Sequence, residues 1–310
     1  MSAEEFNLDH INAPKRVMAP VRWFGGKGKF AQNILPLLPK SKVYVEPFMG
    51  AASVFWHLSK PYPVEVLNDL DGELVNLFRV LQDDDLFAEF ERKVIWTPYA
   101  RAEFGRALDM PTDASKVDRA WAFFTRQNQG FGGVSESLGN WGRVFVSDDG
   151  CASIVNGWRK RMKCLEIWHD RLTRVQIDNQ DALTVIRYWD SSDTTFYCDP
   201  PYVPDTRVAG SRDVYAHEPT ETFHVELVET LLGCKGNVVL SGYGHEVYEP
   251  LTFAGWKKID FETGCHAAGK VRGSGLQGKG TGLEKTPRTE CLWVNPKAYE
   301  KTRQNLAFDF

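Results

Sequence analysis

Short runs of β-branched and aromatic residues alternate along the chain with longer stretches whose apolar positions recur three and four apart. Val43-Tyr44-Val45, Val64-Glu65-Val66-Leu67-Asn68, Arg174-Val175-Gln176-Ile177, Thr194-Thr195-Phe196-Tyr197-Cys198 and Val238-Val239-Leu240 have the length and composition of buried strands. Leu74, Leu77, Phe78 and Leu81 mark one face of a helix that Asp71-Gly72-Glu73 starts, and Phe30 to Leu38 reads as a helix that stops before Pro39. The small residues Gly50 to Ser53 are expected to open a further helix tightly against the end of the first strand. Strands that alternate with helices in this way predict an α/β fold with a doubly wound, mostly parallel sheet.

The pattern changes between Gln82 and Thr173. Leu86 to Ile95, Tyr99 to Leu108 and Val117 to Thr125 have helical periodicity, and Ala152 to Leu172 reads as one long helix. A polar, glycine-rich loop, Arg126 to Gly133, and a turn-rich stretch, Ser135 to Gly150, separate the last two. Residues 83–173 are therefore expected to be a mainly helical insertion in an α/β domain formed by 21–82 and 174–300, with 1–20 a loose arm.

Composition narrows the class. The 310 residues are 43% hydrophobic and 25% charged, near the globular average, so the chain is neither fibrous nor disordered. No run approaches the roughly 18 apolar residues of a membrane span, and the polar Met1 to His10 has no signal-peptide core, so a soluble, cytoplasmic protein is expected. Six cysteines are scattered with no C-x-x-C pair, which argues against a zinc site or a disulfide framework, and no metal is expected. The net charge of −4 does not advertise a polyanion partner, yet Arg159, Lys160, Arg161, Lys163, Arg171 and Arg174 are concentrated in one stretch. A second basic stretch runs from Lys257 to Arg288 and includes the glycine-rich tract Gly264 to Gly282, which reads either as a loop closing over a ligand or as a disordered segment.

The candidate chemistry sits at strand ends. Two prolines fix φ and remove two backbone donors, so the strand ending at Cys198 must stop at Asp199-Pro200-Pro201-Tyr202. The Asp199 carboxylate and the Pro200 carbonyl can each accept a hydrogen bond from one amino group, and the Tyr202 ring can lie against a planar heterocycle. Read bottom-up, this is a clamp for an aromatic amine; a proline turn with a solvated Asp is the plainer alternative. Glu46, in Glu46-Pro47-Phe48-Met49-Gly50, ends the first strand where a dinucleotide fold would place a glycine-rich phosphate turn, and its charge points to a cationic ligand. Asp69, about twenty residues beyond that turn, has the spacing of a ribose-binding carboxylate, with helix capping as its alternative and Asp71 as a second capping candidate. In Trp23-Phe24-Gly25-Gly26-Lys27 the glycines permit close backbone approach to a ligand and the lysine supplies charge, although on its own the stretch reads first as a glycine turn before a helix.

Taken together, Trp23-x-Gly25-Gly26-Lys27, Glu46-Pro47-Phe48-x-Gly50, Asn68-Asp69 and Asp199-Pro200-Pro201-Tyr202 resemble the Dam-type adenine methyltransferases that depend on S-adenosyl-L-methionine, and their order is similar to the alpha arrangement of that family. Ser241-Gly242-Tyr243 and Arg288 to Pro296 are similar to its late strands. The resemblance implies a Rossmann-like methyltransferase sheet with a helical target-recognition insertion, and methyl transfer to the exocyclic amino group of an adenine flipped out of duplex DNA. It implies Asp199, Pro200 and Tyr202 as catalytic residues. For the cofactor it implies Trp23, Lys27, Glu46, Phe48, Gly50, Asp69, Asp181 and Asp199, where Asp181 reads equally as a helix N-cap. In the recognition loop Asn128, Gly130 and Gly133 match a family pattern in part, whereas Gly132 replaces a polar residue; Arg159, Lys160, Arg161 and Lys163 are expected to contact DNA phosphates. Tyr215 and Phe223-His224 resemble positions flanking cofactor and target. A cognate restriction endonuclease is left open as a partner. Two other readings compete: an amino-group methyltransferase acting on RNA or on a protein glutamine, and a catalytically idle DNA-binding component of a restriction or phage-defence system.

Overall fold

Runs of Val, Phe, Tyr and Leu with both faces apolar cannot stay at a sheet surface, so they collect in the middle of a parallel sheet that helices cover on both sides. The computed structural model describes residues 17–23, 25–131, 137–144, 147–148, 150–203, 220–264 and 287–308. Tyr215, Gly132, Gly133 and the tract beyond Gly264 lie outside the described residues.

Seven strands form one sheet in the order β5-β2-β1-β6-β7-β9-β8. They are β1 (Val43–Glu46), β2 (Val64–Asn68), β5 (Gln176–Asp178), β6 (Thr194–Cys198), β7 (Asn237–Tyr243), β8 (Lys257–Gly264) and β9 (Pro287–Val294). The first five are parallel, and β9 runs antiparallel to both β7 and β8. A two-stranded hairpin, β3 (Ser147–Asp148) with β4 (Cys151–Ala152), stands apart. The strand expectations hold to within a few residues. β8 carried no such expectation, because Lys257, Lys258, Asp260 and Glu262 interrupt its apolar run.

One face of the sheet is covered by α1 (Ala31–Ile34), α2 (Gly72–Gln82) and α11 (Pro296–Phe308), and the other by α8 (Ala182–Trp189), α9 (Glu221–Leu232) and α10 (Glu249–Phe253). The helical stretch comprises α3 (Asp84–Ile95), α4 (Arg101–Leu108), α5 (Lys116–Gln129), α6 (Ser153–Met162) and α7 (Leu165–Leu172). Its apolar residues do not form a core of their own: Phe90, Trp121, Phe124 and Trp168 join the same cluster as Leu77, Phe78 and Tyr44.

Two expected elements differ. The long helix over Ala152 to Leu172 is two helices, α6 and α7, separated at Lys163 and Cys164, so that Trp158 and Trp168 both turn inward. Gly50 to Ser53 open no α-helix. Gly50 (φ +48°) and Ala52 (φ +54°) take left-handed backbone angles, and only a 3-10 turn, Phe55–His57, follows. The left-handed geometry breaks helical continuity, and at Ala52 it carries strain of order 1 kcal/mol.

Candidate functional site

In a doubly wound sheet the strand order reverses at one place, and the loops leaving the two strands there diverge to open a crevice. Here the reversal lies between β1 and β6, and the residues leaving those strands are Glu46-Pro47-Phe48 and Asp199-Pro200-Pro201. The two carboxylates suspected from the sequence thus share the crevice.

Asp199 is held from two sides. The Lys27 ammonium donates to Oδ1 at 2.8 Å and Oδ2 at 2.9 Å, and to the Gly25 carbonyl at 2.9 Å. The Ser241 hydroxyl, from β7, donates to Oδ1 at 2.8 Å, and the Tyr197 hydroxyl lies 3.1 Å from Ser241 Oγ. Two prolines leave the chain after Asp199 without amide donors, and among the described residues no hydrogen bond closes on the Pro200 carbonyl. The Tyr202 ring stands edge-on to Tyr243, centroids 4.5 Å apart, with the Lys27 ammonium 4.7 Å from its centre. The Tyr202 hydroxyl donates to Glu290 Oε1, and Lys27 lies 3.5 Å from the same oxygen.

Glu46 is 1% exposed. It accepts the Tyr44 hydroxyl at 2.6 Å and a backbone bond from Phe55, and among the described residues it has no ion-pair partner. Burial, reinforced by the nearby Asp199 and Glu65 charges, pushes its carboxyl up to about 8. A carboxylic acid buried at a crevice, with hydroxyl and amide donors but no cation, is set to ionise when a cation arrives.

Asp69 links two loops. Its Oδ2 accepts the Gly50 N–H at 2.9 Å and its Oδ1 that of Asp71 at 3.0 Å, while Asp71 caps α2. Burial raises the Asp69 carboxyl to about 6. Gly50 is required here for a second reason: a Cβ would stand 2.8 Å from the Trp23 indole. Trp23 thereby packs on the turn after β1, and Phe48 meets Phe223 at 6.1 Å.

Asp181 stands exposed beyond β5, where it caps α8 by accepting the Thr184 N–H at 3.0 Å. The capping alternative describes what it touches. Three residues expected to contact DNA are turned inward. Asn128 is 1% exposed and donates to the Pro20 carbonyl; Gly130 is buried in a bridge to Trp141. Arg161 is 7% exposed beside Arg22, and burial with that neighbour's charge lowers its guanidinium to about 9. The periodicity of α5 and α6 puts Asn128 and Arg161 on the core side. Arg159, Lys160 and Lys163 are exposed. His224 is buried against the Tyr248 hydroxyl, as a packed helix-face histidine would be.

Sequence reasoning missed Glu290, Tyr243 and the Ser241 hydroxyl as site groups. An acidic residue in the otherwise apolar Glu290-Cys291-Leu292-Trp293-Val294 was the available signal for the first.

Residues 23–103 match the family model of the D12 class N6 adenine-specific DNA methyltransferases. The chain is also similar to proteins named DNA adenine methylase. It is 25% identical over 206 residues to that of Vibrio cholerae, covering 61% of this chain and 67% of the relative. It is 23% identical to that of Salmonella typhi over 244 residues (74% and 82%) and 23% identical to that of Escherichia coli K12 over 231 (71% and 77%). The matched segment carries Lys27, Glu46 and Asp69. Among the described residues no helix is long and apolar enough to cross a membrane.

Proposed function

From the match to the D12 class N6 adenine-specific DNA methyltransferases, we propose that this chain transfers a methyl group from S-adenosyl-L-methionine to the exocyclic amino group of adenine in duplex DNA. The observation that carries the reading is the pairing, at the strand-order reversal, of a buried carboxyl without a cation, Glu46, with the amine-accepting turn Asp199-Pro200.

The donor set fits the cofactor. Glu46 supplies a carboxylate for a positively charged group, Asp69, held by the Gly50 and Asp71 amides, has lone pairs left for hydroxyl donors, and Trp23, Phe48 and Gly50 shape the wall between them. Lys27, also expected to touch the cofactor, holds Asp199. When bound, S-adenosyl-L-methionine would supply a sulfonium methyl whose carbon a nitrogen lone pair can attack, the C–S bond breaking with its electrons left on sulfur as a neutral thioether.

The protein's task is to provide that lone pair. In adenine it is delocalised into the ring. Asp199 and the Pro200 carbonyl, each accepting one amine N–H, hold both protons on one side and favour a tetrahedral nitrogen. Ser241 and Tyr197 orient Asp199 for this. The methylated nitrogen, positively charged, then sheds one proton without a strong base. An amine inside a duplex is out of reach, so the base must be extruded, with the Tyr202 ring as its stacking surface.

Residues 83–173 serve in this reading as the target-recognition insertion, and the exposed Arg159, Lys160 and Lys163 add phosphate affinity without sequence preference. The enzyme works where DNA is, in the cytoplasm of a bacterial or phage-infected cell. Incubating purified protein with S-adenosyl-L-methionine and unmethylated DNA should yield N6-methyladenine by mass spectrometry, clustered at one short sequence by long-read sequencing; no N6-methyladenine would refute the proposal.

A further inference from the structure

The Lys27 ammonium lies across both oxygens of Asp199, at 2.8 and 2.9 Å, and Ser241 adds a second donor on Oδ1, so an incoming amine must share a carboxylate whose charge is already engaged. Lys27 is 7% exposed, so its charge cannot simply swing into solvent without rebuilding its surroundings. A second carboxylate is already in reach. Glu290 Oε1 lies 3.5 Å from the ammonium, on β9 directly opposite Tyr243 in the register with β7. The same oxygen accepts the Tyr202 hydroxyl, and the Tyr202 ring lies 4.7 Å from the ammonium.

We propose that Glu290 is a positioning residue: it takes over the Lys27 ammonium from Asp199 when the target amine enters, and so uncovers the amine-accepting carboxylate. The inference rests on the methyltransferase reading above. Three features support it. Burial of a lone carboxylate is unfavourable, and Lys27 and the Tyr202 hydroxyl are the two groups that offset it for Glu290. The hand-over keeps the Lys27 charge paired at every stage, so no buried ammonium is left without a counter-ion. Finally, Tyr202 is tied to the oxygen that receives Lys27, which couples placement of the stacking ring to release of Asp199.

The route acts through Lys27, and this is what distinguishes it from a structural role. In Glu290→Gln the amide oxygen still accepts the Tyr202 hydroxyl but carries no charge. Its kcat should fall at least about tenfold, with KM for DNA and the cofactor dissociation constant within about twofold of wild type, and Glu290→Asp should recover part of the loss. In a Lys27→Met background the Glu290→Gln change should cost nothing further, since contacting residues on one route are non-additive. Equal losses in both backgrounds would overturn the proposal. An activity-independent readout separates this from failure of the methyltransferase reading: in carbon-13 lysine spectra, the signal missing from Lys27→Met should deprotonate at lower pH in Glu290→Gln than in wild type. Identical titrations would overturn the proposal whether or not DNA is methylated.

Discussion

Two glutamates on neighbouring strands have the same burial and opposite surroundings. Glu65 on β2 and Glu46 on β1 are each 1% exposed. Glu65 receives two N–H bonds from Arg171 at 2.6 Å each, the Tyr62 N–H at 3.0 Å, and lies 3.8 Å from Arg174. Glu46 has the Tyr44 hydroxyl and a backbone donor, and among the described residues no cation. Arg171 comes from α7, the last helix before the chain re-enters the sheet, so the first pair fastens the helical stretch to β2. A buried carboxylate with a cation supplied by its own chain is architecture; the one without is where the proposed function places a cation from outside.

The contrast can be broken in graded ways. Asp199→Ala, which removes the proposed amine acceptor beside Glu46, should lower methyl transfer by about two to three orders of magnitude, as loss of a transition-state hydrogen bond does, while calorimetry still detects cofactor binding. Arg171→Met strands Glu65 without its partner and should cost about 3–5 kcal/mol in urea unfolding. Glu46→Gln should do the reverse: stability at pH 8 is kept or improved, yet cofactor affinity falls about tenfold or more in calorimetry. If Glu46→Gln unfolds the protein as readily as Arg171→Met, the distinction is lost. The smallest effect belongs to the exposed basic residues, where Lys160→Ala should reduce the salt slope of DNA binding by about one without changing which site is methylated.

Legibility in the sequence follows the same division. The strands β1, β2 and β6 and the residues that end them were readable because the signal is local: a short apolar run followed by an acid and a proline, or by Asn-Asp. Asp71 as the cap of α2 was readable for the same reason. Glu290 was not, because its role exists only once β9 pairs with β7 and carries it to Lys27, far away along the chain. The burial of Asn128 and Arg161 was not readable, because polar type alone suggests exposure, whereas their helical phase beside Trp121, Phe124 and Trp158 turns them toward the core. The missing helix after Gly50 has a backbone cause, the left-handed angles at Gly50 and Ala52, that composition alone does not reveal.

Glu46 also imposes a pH dependence whose sign is fixed. Its carboxyl is raised from 4.5 to about 8 in the fold, so the stability it contributes is complete below about 4.5 and is lost as pH climbs through about 8. A bound cation pairs with the ionised form and offsets that loss. The thermal shift produced by S-adenosyl-L-methionine should therefore grow between pH 6 and pH 8 in the wild type and stay nearly constant in Glu46→Gln.

The most direct test counts protons. At pH 7 a carboxyl raised to about 8 is about nine-tenths protonated, and pairing with a cation expels that proton. Calorimetric titration with S-adenosyl-L-methionine in buffers of different ionisation enthalpy should show wild type releasing close to one proton more than Glu46→Gln. Equal proton release by the two proteins would contradict the account of Glu46 as the receptor for the cofactor's charge.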